Sequence, residues 1–315
     1  IKRNPENPSY ISYRIKILDK SGKHKEALKY LEKSEQTGVI TAEFQNELAA
    51  QKETILANMT SDENEKKFHL IYINYLNGDY YKVINECQNI LNFTKNYKIL
   101  TLQAQSQLNT GKGELAKKNF EQSYELNKNY APTLIGLGDI AFIEKNYTKA
   151  LEYYKKAQKN DKESPVLILK LSLAYQNIPG SEKNIAKLEK QMKAINKNLF
   201  YENYIAAITV LKNDAKQRRE YLLKSLGQNL FFEGARSEYL AYLAENKKLK
   251  PMQNFLYIAS FVNNFSYSYY YYRGIADMML GEADLAETNM SYCLSLNPDY
   301  EPASRFLADL EKEVI

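Results

Sequence analysis

Two histidines, His24 and His69, and two cysteines, Cys87 and Cys293, are all the chain offers of the side chains that titrate or react near neutral pH. The histidines lie far apart and no nucleophile and orienting acid can be assembled around either, so both read as structural members of surface helices. The cysteines are equally distant, without a CxxC pair or a Cys/His companion, which supports neither a disulfide framework nor a zinc site. The stretch "NTGKGELAK" (Asn109 to Lys117) has the glycines and lysines of a phosphate loop but neither its GxxxxGK[ST] order nor a preceding strand. No catalytic residue, metal or cofactor is expected, and no small-molecule substrate. What stands out is "SYSYYYYRG" (Ser266 to Gly274), with five tyrosines in six positions, which reads as an exposed strand, a core helix or a binding surface.

Composition narrows the elements that carry these residues. The 315 residues, 44% hydrophobic and 26% charged, are enough to bury a large core. Only 12 Gly and 8 Pro argue against many short strands and tight turns, and the recurrent Leu, Lys, Glu, Ala and Gln favour helix. The net charge of +5 arises from 43 basic and 38 acidic residues mixed along the chain, so no nucleic-acid footprint is read. No apolar run approaches the ~20 residues a membrane span requires. A soluble chain is expected, with cytoplasm and periplasm both open.

A period organises the chain. "NGDYYKVINECQNIL", "TGKGELAKKNFEQSY", "EKNYTKALEYYKKAQ" and "LGEADLAETNMSYCL" align as a turn and a helix face: Val83/Cys87/Ile90, Ala116/Phe120/Ser123, Ala150/Tyr154/Ala157 and Ala286/Met290/Cys293. Spacings of four and then three mark one side of a helix. Val83, Ala116 and Ala150 are 33 and 34 residues apart, and Ala286 follows Ala150 after four steps of 34. The same step from Tyr154 meets Leu188, Leu222, Leu256 and Met290, all bulky; from Gly138 it meets Ser172, Ala206, Leu240 and Gly274, mostly small. Large against small at a fixed period is what stacked helical hairpins need where they cross.

On these residues the chain resembles the tetratricopeptide-repeat (TPR) family. "APTLIGLGDIAFIEKNYTKALEYYKKAQKND" (Ala131 to Asp161) and "YYYYRGIADMMLGEADLAETNMSYCLSLNP" (Tyr269 to Pro298) are the segments most similar to it, although the family Trp is missing and Arg273 and Asp277 replace Leu and Tyr. The resemblance implies an all-α, right-handed superhelical α-solenoid spanning residues 1–315 as one array. Repeats are expected at about 8–40, 64–96, 97–130, 131–164, 165–198, 199–232, 233–266 and 267–300, with an inserted helix at 41–58 capped by Thr41 and a capping helix at 301–315. Pro179-Gly180 is read as a turn inside a repeat rather than a boundary.

The resemblance also implies that the first helix of each repeat lines a concave groove. The positions that fall there are Tyr72, Tyr75, Thr101, Gln105, Ile135, Asp139, Phe142, Leu169, Leu173, Asn203, Ala207, Val210, Ala241, Tyr271, Ile275 and Met278. This mainly apolar and aromatic lining suits an extended segment or amphipathic helix of a protein partner. The family's Lys/Asn carboxylate clamp and its asparagine ladder are both absent: Phe68, Tyr72, Thr101, Gln105, Ile135 and Asp139 occupy the clamp positions. The expected function is a non-enzymatic scaffold binding a peptide or helix. The alternative is an accessory subunit that assembles with a catalytic protein, or with copies of itself, through the inserted helix and the convex faces. Because successive helical residues project about 100° apart, the tyrosine run must surround its helix, with Tyr270 expected in the core and Tyr271 in the groove.

Overall fold

The computed structural model describes residues 7–36, 42–195, 200–210, 214–230, 232–261, 266–298 and 300–313, and among them there are eighteen helices and no strand. By packing, the chain divides into two compact units at Pro179–Gly180. The first unit holds α1 (Pro8–Lys20), α2 (His24–Gln36), α3 (Ala42–Met59), α4 (Glu63–Leu76), α5 (Tyr80–Leu91), α6 (Tyr97–Asn109), α7 (Gly113–Leu126), α8 (Ala131–Ile143), α9 (Tyr147–Gln158) and α10 (Pro165–Gln176). The second holds α11 (Glu182–Ile195), α12 (Phe200–Val210), α13 (Ala215–Gln228), α14 (Glu233–Glu245), α15 (Leu249–Ser260), α16 (Tyr267–Met279), α17 (Ala283–Leu296) and α18 (Glu301–Glu313). The division at a turn read as internal to a repeat has a local cause: α10 packs on α9, whereas α11 packs on α12.

Helix starts are written in the sequence. The side chains of Asn7, Asp62, Asn96, Asp214 and Ser266 accept hydrogen bonds from the free N–H groups of the first turns of α1, α4, α6, α13 and α16. Pro stands in the first turn of α1, α8 and α10, where its missing N–H costs nothing.

The turn inside each hairpin demands one left-handed residue. From Gly78 it recurs at Gly111, Lys145 and Gly180, then at Lys247 and Gly281, in steps of 33 to 35 residues where consecutive repeats are described. Lys145 at φ 60° and Lys247 at φ 51° carry the Cβ strain that glycine avoids. Lys145→Gly should therefore raise stability by about 0.5–1 kcal/mol, the glycine's greater freedom in the unfolded chain offsetting part of the relief. Urea titration checks the sign, and a loss of stability would show the turn to be unstrained.

Between these turns α8 crosses α9 and α16 crosses α17 with a glycine against a large side chain, Gly138 on Tyr154 and Gly274 on Met290. Tyr154, Leu188, Leu222, Leu256 and Met290 are all buried, as are Gly138, Ser172, Ala206, Leu240 and Gly274. An added Cβ on Gly138 would lie 2.3 Å from the Tyr154 ring, and one on Gly136 would lie 2.2 Å from Phe120. Glycine is what lets α8 approach both rings.

The helix inserted after the first hairpin, α3, packs on α1, α2 and α4. It shares a core with Ile11, Ile15, Ala27 and Leu31 through Leu48 and Ile55. A polar seam secures the same face: Ser12 Oγ donates to Glu47 Oε1 at 2.6 Å, Lys16 Nζ donates to the same oxygen at 2.9 Å, and Gln51 Nε2 donates to Ser12 Oγ at 2.6 Å. Ser12 first, then Lys16, hold the Glu47 carboxyl below its ordinary range. The expected cap, Thr41, lies outside the described residues.

The tyrosine run is helical, as α16. The fully buried member is Tyr269, 7% exposed. Tyr270, expected in the core, packs against the core of Met290, Cys293 and Ala303 but is only half-buried, its ring tilted 38° to that of half-exposed Tyr292 with centroids 4.5 Å apart. Tyr271 packs edge-on to Tyr300 at 5.2 Å.

Candidate functional site

In the first unit the first helices of successive hairpins, α4, α6 and α8, neighbour one another. Along α4, Phe68, Tyr72 and Tyr75 follow at spacings of four and three and form a rail of near-parallel rings, with centroids 5.9 and then 5.5 Å apart. Burial raises the Tyr72 hydroxyl above its usual value and pushes Tyr75 up to about 12, although Asn109 Nδ2 donates to the Tyr75 oxygen at 3.2 Å. Both phenols thus stay neutral donors and acceptors at neutral pH.

Beside the rail a cleft of about 320 Å³ opens between α3, α4 and α6 and the start of α8, with Gln105, Tyr130 and Pro132 among its walls. Its charges are paired. His69 Nδ1 lies 2.6 Å from Glu53 Oε2 and Nε2 lies 3.6 Å from Glu65 Oε1, while Lys98 Nζ bonds both Glu65 oxygens at 2.6 and 2.9 Å and stands 5.5 Å over the Phe68 ring. His69, read from sequence as a lone side chain, is a 9% exposed bridge from α4 to the inserted helix. Its Glu65 partner is visible as an i,i+4 pair; Glu53, on α3, is not.

The other expected groove positions fall into two groups. Gln105, Ile135, Phe142, Leu173, Ala241, Tyr271 and Ile275 are half-buried on first helices, and Met278 is 36% exposed. Thr101, Leu169 and Ala207 are more deeply covered, at 2%, 8% and 0% exposed, and Thr101 lines the cleft beside the rail. Thr101 Oγ1 donates to Tyr97 O at 2.8 Å and meets Ser123 Oγ and Thr133 Oγ1 at 2.8 and 2.7 Å, so its hydroxyl is spent on tying α6, α7 and α8. Asp139 is half-buried and also engaged, accepting from the Tyr154 hydroxyl and from Lys170 Nζ, both at 2.7 Å. Asn203 Nδ2 donates to Gln228 Oε1 at 2.9 Å. The side chain of Val210 lies outside the described residues.

His24 is held by Asp19 at 2.8 Å. Cys87 and Cys293 are 0% exposed, and burial pushes their thiols up to about 12 and about 11, so neither is a nucleophile at neutral pH. Among the described residues no group of His, Cys, Asp and Glu could hold a metal, and no helix is long and apolar enough to cross a membrane.

Residues 131–164, covering α8 and α9, match the family model described as a tetratricopeptide repeat. Among solved structures, a tetratricopeptide repeat protein from Parabacteroides merdae is 13% identical and superimposes with a TM-score of 0.56 over 78% of this chain and 98% of that one. A chain of the APC/C hetero-tetramer Cut9-Hcn1 is 12% identical with a TM-score of 0.58; the match covers 91% of this chain and 58% of that one. Curated protein sequences give no match.

Proposed function

We propose that this tetratricopeptide-repeat protein is a non-enzymatic scaffold that holds an extended segment or amphipathic helix of a protein partner against its first helices. The repeat fold is generally one of protein-interaction scaffolds. The observation that carries the reading is the aromatic rail Phe68–Tyr72–Tyr75 beside a cleft whose two carboxylates, Glu53 and Glu65, are already engaged by His69 and Lys98. Half-buried rings with neutral hydroxyls offer contact area at little entropic cost, together with polar atoms that fix register. In the second unit, Tyr271 supplies a ring of the same kind on α16, with the apolar side chains of Ile275 and Met278 following it along the helix.

Replacing Tyr72, Leu173 and Tyr271 together with Glu should abolish capture of the partners crosslinked to the protein in its native host, while the helical circular dichroism is kept. Losing anchors of this kind costs at least about 2 kcal/mol each. Capture that survives the triple replacement supports the second reading, an accessory subunit that assembles through α3 and the second helices. The hetero-tetrameric Cut9-Hcn1 assembly shows that a chain of this fold can serve in a complex of different proteins.

A further inference from the structure

The charges that read as mixed over the whole chain are unbalanced along it. Residues 151–250 carry 19 Lys and Arg against 11 Asp and Glu, whereas residues 251–315 carry 3 against 9. Within the second unit the two signs gather on separate second helices, α11 and α17. Packing runs from α11 through α12, α13, α14 and α16 to α17 and α18, so α11 opens the unit and α17 with α18 closes it. Four helices thus lie between the two faces in one copy, and neither can satisfy the other there.

The outward side of α11 is basic. Lys183, Lys187 and Lys190, followed by Ala194, recur at spacings of four, three and four, opposite the buried Ile185, Leu188 and Met192. All four are exposed, and none of the three ammoniums is in an ion pair among the described residues, whereas Lys193 beside them is engaged by Glu189 at 2.9 Å. The outward side of α17 is apolar and acidic. Leu285, Tyr292 and Leu296 follow at spacings of seven and four and are 53%, 52% and 46% exposed. The exposed Asp284 and Glu287 run along one edge of that stripe, and Glu282 starts the other. None of these three carboxylates is in an ion pair among the described residues, and α17 has no Lys or Arg of its own. The cations of α18, Arg305 and Lys312, are already held by Glu301 and Asp309.

We infer that the α17 face binds the α11 face of a second copy of this chain, so that copies join head to tail. The two stripes match in length: Lys183 to Ala194 and Leu285 to Leu296 each advance 11 residues, about 16 Å of helix. They also match in chemistry. The lysine heads meet carboxylates that lack partners, while their carbon stems lie over the Tyr292 ring and the two leucines, as long cationic side chains cover apolar surface. Ala194, in line with the lysines, leaves room for a large side chain opposite. A basic helix of another protein offers the same chemistry, but a second copy carries the complementary stripe at the protein's own concentration. Because the two faces differ, the contact is heterologous, and every joined copy keeps one free face to extend the chain. The contact uses second helices alone and goes beyond the first-helix reading.

Sedimentation velocity of the whole chain is the test. The expected result is a mass that rises above 36.5 kDa with concentration at about 0.01 M salt, where charges act over ~30 Å, and falls back to the monomer at about 1 M, where they act over ~3 Å. Reversing the basic face with Lys183→Glu, Lys187→Glu and Lys190→Glu should weaken association about tenfold or more, and so should reversing the acidic face with Glu282→Lys, Asp284→Lys and Glu287→Lys. All six side chains are exposed, so both variants should keep the parent's helical circular dichroism. Mixed in equal amounts, the two variants should associate again, because the first retains the acidic α17 that the second's lysines need. Tyr72→Glu, on a first helix, should change nothing, which separates this contact from the first-helix site. A parent that stays at 36.5 kDa at every concentration would overturn the inference and leave the acidic face to a basic helix of another protein. Association that survives 1 M salt or either reversal, that is lost with Tyr72→Glu, or that the mixture does not recover would overturn it as well.

Discussion

Gly136→Ala should lower the stability of the first unit by about 1–3 kcal/mol although alanine is the better helix former by ~1 kcal/mol. The new methyl would have to sit 2.2 Å from two ring carbons of Phe120, a side chain that is 0% exposed and has nowhere to retreat. Overpacking decides the sign. A companion variant isolates the cause: Phe120→Ala alone should cost about 3–5 kcal/mol through the cavity it leaves. The double variant should cost less than the two single ones added together, because the methyl then occupies vacated space. Thermal denaturation followed by circular dichroism reads this as about 2–4 °C for each kcal/mol in a unit of this size. A single Gly136→Ala variant melting at or above the parent temperature would show that α8 and Phe120 are not in contact.

Asp139→Ala is the second large effect, expected at about 1–3 kcal/mol. The carboxylate accepts from the Tyr154 hydroxyl and from Lys170, so its loss strands a buried phenol and a partly buried ammonium at once. Asp139 and Lys170 are each about a quarter exposed, so water softens the loss of the ion pair. Tyr154 is 2% exposed, and no water replaces its acceptor. Asp139→Asn retains an acceptor for the phenol but removes the ion pair, so it should recover most of the stability. Equal losses in both variants would make the charge, rather than the hydroxyl's partner, the source of the effect. Tyr154→Phe should then abolish most of the difference between the variants, since the stranded hydroxyl is gone.

The repeat could be read because packing favours it: a close helix crossing wants a small residue against a large one, and the series keeps that alternation at every step but Leu240. Gly138 under Tyr154 and Gly274 under Met290 are its ends. The same period carried less about the site, because register fixes the side of the helix on which a residue lies but not how deeply its neighbours cover it. Leu169 and Leu173 are one helical turn apart on the same side of α10; the first is packed and the second is half-open. Thr101 was legible as a small polar residue facing inward, whereas its pairing with Ser123 and Thr133 depends on three different helices. Glu53 lay beyond reach for the same reason, since its partner His69 comes from another helix. Gln103 and Gln107 did leave a signal, two of the three glutamines of α6, a turn apart on the side away from Gln105. Buried carboxamides at that spacing imply a hydrogen-bonded seam, and both accept from Asn119 Nδ2 at 2.9 Å.

Cys87 lies in one unit and Cys293 in the other, each sealed and each with its ionisation suppressed by burial. Chemistry at either sulfur must wait for the surrounding helices to part. An alkylating reagent applied to the unmodified chain would therefore keep two independent clocks, one per unit, timing how often each half breathes.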